Sequence, residues 1–162
     1  MNPRSPILAT ALLAFAALAH AHGPEKHDAK AFDPALAEQT SFGVAADPKK
    51  ATRTMTIAMD DRMRFTPETL TIRRGETVRF VVRNGGKLMH EMVLGTQAEL
   101  NKHAEEMKQF PDLEHAEPHM VHVAPGKAGD LAWTFNRAGE FHFGCLIPGH
   151  YDAGMKGRII VK

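Results

Sequence analysis

Short segments of alternating apolar and polar residues, punctuated by glycine and proline turns, predict an all-β architecture, a sandwich or barrel, over residues 51–162. One stretch, at about 97–119, abandons the period of two for a helical one and reads as an insert. A third observation is chemical: the final third of the chain holds its only cysteine, Cys145, in the sequence GEFHFGCLIPGHYDAGM, Gly139 to Met155. The 162 residues suffice for one domain with a real core.

The chain opens with features of an export signal. Arg4 supplies a positive start, Ile7–Ala19 is apolar, and Ala19-His20-Ala21 is an A-x-A cleavage site, so residues 1–21 are expected to be removed after Ala21 on export to the periplasm. The apolar run is short for a span, and no membrane span is expected in the mature protein. Losing Arg4 takes the formal charge from +1 to 0. That balance argues against nucleic acid, which wants a strongly basic face. Residues 22–50, rich in Ala, Pro, Lys and Asp, read as a flexible leader with a helical turn near Pro34–Gln39.

From Arg53 the strands begin. Met55, Ile57 and Met59 alternate with Thr54, Thr56 and Ala58, which makes the two methionines core candidates. Further strands are predicted at 64–65, 70–73 and 78–83, where Val78, Phe80 and Val82 share a face. Met89–Leu94 is another, carrying His90. Ala98–Gln109 then places Leu100, Ala104 and Met107 at helical spacing, with Pro111 and Pro118 confining the insert. Strands resume at 120–124, 130–136, 139–146 and 156–162, with no internal repeat.

Cys145, His150 and Met155 form a Cys-x4-His-x4-Met loop directly after a predicted strand. A thiolate, an imidazole and a thioether suit a soft or borderline metal, and His₂Cys with a weak axial Met is the ligand set of a copper electron-transfer site. The missing imidazole is assigned to His90, in KLMHEMVLG. Phe141, Phe143 and Cys145 lie on one strand face, so the phenylalanines carry the cysteine into the core. Export strengthens the reading: a lone thiol in an oxidising compartment is unusual, and ligation as thiolate accounts for it. Taken singly, Cys145 would read as a small buried hydrophobe and Met155 as core filling; the spacing of the three is what outweighs those readings.

The segment from about Arg53 to Lys162 resembles the cupredoxins, the blue-copper fold of plastocyanin, azurin and auracyanin. The residues that carry the resemblance are NGGKLMHEMVLG, APGKAGDLAWTF and GEFHFGCLIPGHYDAGMKGRIIVK. The resemblance implies a Greek-key β-sandwich with His90, Cys145, His150 and Met155 around one type 1 copper, blue or green. It also implies that His150 is the more exposed ligand and the electron port, with Leu146, Ile147 and Pro148 as an apolar docking patch. Many members place Asn after the upstream histidine, where its amide locks the ligand loop. Glu91 stands there in this chain, so the resemblance does not carry that lock over.

The expected function is a periplasmic copper-binding cupredoxin supporting copper tolerance, with one-electron transfer as its chemical capability and an unknown redox partner protein. A respiratory electron shuttle is the first alternative. An enzyme, a Cu(I) oxidase or a nitrite reductase, is the second; similar reductases place a copper-binding histidine before the type 1 cysteine, where this chain has Gly144. The chain's ten histidines and nine methionines exceed what one copper uses. His103, Met107, His115, His119, Met120 and His122 on the insert and after it, or His22 at the mature N-terminus, could hold accessory copper, but a solvated His-rich segment is the preferred reading because no subset has a compelling spacing.

Overall fold

In chain order the strands are β1 (Gln39–Thr40), β2 (Gly43–Ala45), β3 (Arg53–Asp60), β4 (Arg64–Thr66), β5 (Thr69–Ile72), β6 (Thr77–Asn84), β7 (His90–Gly95), β8 (Met120–Val123), β9 (Ala128–Thr134), β10 (Gly139–Gly144) and β11 (Lys156–Val161), with helix α1 (Gln97–Gln109) between β7 and β8. This computed structural model describes residues 32–37, 39–111 and 116–162. The proposed signal segment 1–21, His22 and His115 lie outside them.

Strand parity builds two sheets. One runs β1-β2-β9-β6-β3-β4 and the other β5-β11-β10-β7-β8. Two neighbouring pairs, β3 with β6 and β5 with β11, are parallel, and the other pairs are antiparallel. Ile57 and Met59 on β3 and Val78, Phe80 and Val82 on β6 point inward and are buried, as the period of two requires. Met55 sits at the margin of this core rather than inside it. The inner faces of the two sheets pack face to face around Trp133, Phe65, Phe80, Phe135 and Phe143, giving a sandwich.

The insert forms the predicted helix, and its start is fixed by a capping box. The Thr96 hydroxyl accepts from the Glu99 N–H at 3.2 Å, and the Glu99 carboxylate accepts from the Thr96 N–H at 2.7 Å. Leu100, Ala104 and Met107 are its buried stripe. They meet Val93, Met120, Leu146 and Tyr151 in a second apolar cluster. This second cover explains why every residue of β7 is buried: the strand is packed on both faces.

The leader reading needs a correction at its C-terminal end. Residues 39–40 and 43–45, placed in a flexible segment by composition, are strands in the sheet, with β2 paired to β9. Phe42 is buried and stacks on Trp133 at 5.0 Å, and the Trp133 indole N–H donates to the Phe42 carbonyl at 3.1 Å. Gly43, at φ 134°, permits this approach; a Cβ there would lie 2.2 Å from the Thr134 carbonyl oxygen. Strands of two and three residues are too short to show a period, so composition alone misplaced them.

Candidate metal centre

The site is assembled from two sources that are far apart in sequence. β7 delivers His90 at its first position, where pairing with Val123 on β8 fixes the backbone. β10 lies between β7 and β11, and its end at Gly144 leads directly into Cys145. The following loop is closed by its own backbone: the Cys145 N–H donates to the Met155 carbonyl at 3.1 Å, the Met155 N–H to that of His150 at 3.1 Å, and the His150 N–H to that of Ile147 at 3.0 Å. A thirteenfold-repeated small residue is thus used at a critical point in Gly144, where a Cβ would collide with the Tyr151 ring at 2.7 Å. No side chain, histidine included, fits there without displacing that ring.

Three of the four residues predicted for the site meet through their donor atoms. One donor atom each of His90, Cys145 and His150 lies within 4.8 Å of the others, and this is the one such group of three among the described residues. His150 Nδ1 is 3.3 Å from Cys145 Sγ, and the two imidazole rings are 4.9 Å apart. His90 and Cys145 are fully buried, and His150 is half-buried. Met155, the fourth, is also fully buried and is tied to Cys145 and His150 through the backbone contacts above.

The donor set fits a metal on its own terms. His90 Nε2 is engaged by Asp61 Oδ1 at 3.1 Å, and His90 Nδ1 is buried with no hydrogen-bond partner. A buried imidazole nitrogen left unpaired is costly, and a metal is a partner that removes the cost. Asp61 was not found from sequence. It sits in the turn after β3 and is itself held by the Lys87 N–H at 2.8 Å and the Leu88 N–H at 3.2 Å. Those contacts, the Lys87 N–H first, keep its carboxyl below the usual range. An aspartate in a polar turn carries no sequence signal for such a role.

Burial, reinforced by the Glu91 carboxylate, pushes the Cys145 thiol up to about 12, while the backbone N–H groups of Glu91 and Ile147 pull the other way by favouring the thiolate. Without a metal the thiol keeps its proton at neutral pH, so a bound metal must displace it. Burial and then the neighbouring His90 lower the pKa of His150, which favours the neutral imidazole that a metal needs.

Two sequence readings change here. Glu91 does lock the ligand loop: its Oε1 accepts from the Leu146 N–H at 2.7 Å, an acceptor role that a carboxylate fills as an amide would. Leu146 is not part of a docking patch, since it is buried in the cluster under α1. Of the other two patch residues Pro148 is exposed and Ile147 half-buried, and the large exposed apolar side chains next to His90 in sequence are Leu88 and Met89, at 47% and 41% exposure. As for accessory copper, His119 pairs with Glu117 at 3.1 Å and His122 with Glu91 at 2.8 Å.

Comparison with known proteins points the same way. The family model described as copper binding proteins, plastocyanin/azurin family, matches residues 51–162. The copper-resistant cuproprotein CopI of Rubrivivax gelatinosus is 48% identical over 168 aligned positions, which cover 98% of this chain and 99% of that one. CopI of Pseudomonas aeruginosa is 34% identical, over 75% of this chain and 83% of its own. Among solved structures, auracyanin from Roseiflexus castenholzii superposes with a TM-score of 0.60 at 23% identity, over 69% of this chain and 98% of that one, a likeness of fold.

Proposed function

Because the chain belongs to the plastocyanin/azurin family of copper-binding proteins, the cupredoxins, we propose that it holds one type 1 copper through His90, Cys145, His150 and Met155 and serves copper tolerance in the periplasm. The observation that carries this is the trio of donor atoms within 4.8 Å, two of them on fully buried residues, with His90 Nδ1 otherwise unpartnered. In this reading the Cys145 thiolate is the strong ligand, the imidazoles of His90 and His150 complete a trigonal set, and Met155 is the weak axial donor. Bound copper would supply one-electron chemistry. The protein's part is to hold the donors still, keep water from His90 and Cys145, and leave His150 as the partly open edge.

The tolerance role is supported by the CopI relatives, whose name describes copper resistance. Cleavage after Ala21 and export supply the periplasmic setting. A protein that sequesters or passes on copper needs no substrate pocket, and the reading is of a copper carrier with electron-transfer capability rather than an enzyme. The steric closure at Gly144 favours this over a reductase that requires a histidine there.

Metal analysis and visible absorption on the mature protein and on Cys145→Ser test the proposal. The wild type should bind one copper at this site with an intense thiolate-to-copper band, and the variant should lack the band. An unchanged spectrum in Cys145→Ser would sink the assignment.

A further inference from the structure

We propose that Glu91 is both a positioning residue for the ligand loop and the fixed charge that biases this centre toward Cu(II), with His122 as its outer partner. The proposal deepens the type 1 reading above and rests on it.

Glu91 follows His90 on β7, and only 4% of its side chain is exposed. Both carboxylate oxygens are occupied. Oε1 accepts from the N–H of Leu146, the residue after Cys145, at 2.7 Å. Oε2 lies 2.8 Å from Nε2 of His122, its cross-strand neighbour on β8, whose side chain is 43% exposed. The Glu91 main-chain N–H also faces the Cys145 sulfur. One residue therefore faces the Cys145 sulfur through its backbone, reaches the next loop residue through its carboxylate, and reaches the surface through His122.

A neutral amide would serve the loop contact equally well, since that contact needs only an acceptor. What the carboxylate adds is a negative charge in a poorly solvated place, where charges act at greater strength than in water. Such a charge stabilises the more positive oxidation state of a nearby metal. A burial this deep is costly for a charge without partners, and the Leu146 N–H and His122 supply them. For a protein that holds copper in an oxidising compartment, a bias toward Cu(II) favours retention of the form that prevails there.

The test uses the copper-loaded protein and reads the Cu(II) and Cu(I) affinities separately, by competition with chelators selective for each, alongside the visible spectrum. Glu91→Gln keeps the acceptor for Leu146 and removes the charge. The thiolate-to-copper band should stay in place while Cu(II) binding weakens relative to Cu(I) on the order of tenfold, which is about 59 mV in reduction potential for a one-electron couple. Glu91→Ala removes the acceptor too, and should shift the band as well as the ratio. His122→Gln, which leaves the charge and the Leu146 contact in place, should change the ratio less than Glu91→Gln does. An affinity ratio unchanged in Glu91→Gln overturns the charge role, and a band unmoved in Glu91→Ala overturns the positioning role. If Glu91→Gln fails to fold, Glu91→Asn provides the same uncharged amide. The affinity ratio needs no charge-transfer band, so a wild type without one would count against the type 1 reading and still leave the Glu91 proposal decided by the ratio.

Discussion

The two imidazoles of the centre face each other at 4.9 Å and stand in opposite surroundings. His90 is fully buried at the start of a strand, its backbone paired with β8 and its Nε2 fixed by Asp61. His150 is half-buried on a loop, and its ring contact is with Cys145, another donor of the same site. One half of the centre is therefore set by the sandwich before any metal arrives. The other half is carried by a loop that its own backbone hydrogen bonds close. Donors on strands are held more precisely than donors on loops, and a site made of both combines a fixed anchor with an edge that can be reached.

Substitutions should expose that asymmetry. His90→Gly is expected to have the largest effect: loss of tight copper binding that added imidazole does not restore, because the position is closed to solvent. His150→Gly should also lose the wild-type spectrum, but millimolar imidazole should recover it through the more open edge. Equal rescue of the two variants, measured by visible absorption, would erase the distinction. Asp61→Asn is the next step down. It weakens the hold on His90 Nε2 without removing a donor, and copper affinity should fall about 10- to 100-fold. If the affinity is unchanged, the strand-borne half is fixed by packing alone. Met155→Leu should have the smallest effect on binding: copper retained, folding stability changed by about 1 kcal/mol, and the reduction potential raised as a donor to Cu(II) is lost. Loss of copper would show that the loop-borne half depends on its thioether as strongly as on its imidazole.

How much of this could be read beforehand depended on the distance over which each signal acts. Cys145, His150 and Met155 became candidates through local spacing, and His90 through being a histidine on an upstream strand; the structure brings the donor atoms of His90, Cys145 and His150 together. The strands of the core were legible in Ile57, Met59, Val78, Phe80 and Val82 because parity and burial coincide there. Asp61 was not, since its link to His90 crosses 29 positions and a turn aspartate looks like any other. Glu91 was visible as a departure from the family's Asn, yet its reach to the Leu146 N–H follows from how β7 lies against β10. Leu146 looked like a surface residue only because the sequence does not reveal that α1 folds over it.

That covering helix has a kinetic consequence. Leu146 and Tyr151 of the ligand loop pack with Leu100, Ala104 and Met107, the Tyr151 hydroxyl bonds to Gln97 at 2.7 Å and Asn101 at 3.1 Å, and Asp152 pairs with Lys108 at 3.0 Å. A loop free on its outer side could swing away and surrender its ion in a small local fluctuation. This one can open widely only by parting from the helix along most of its length. The dwell time of the ion should thus follow the frequency of helix undocking, a subglobal opening event, and not the strength of the donor bonds alone.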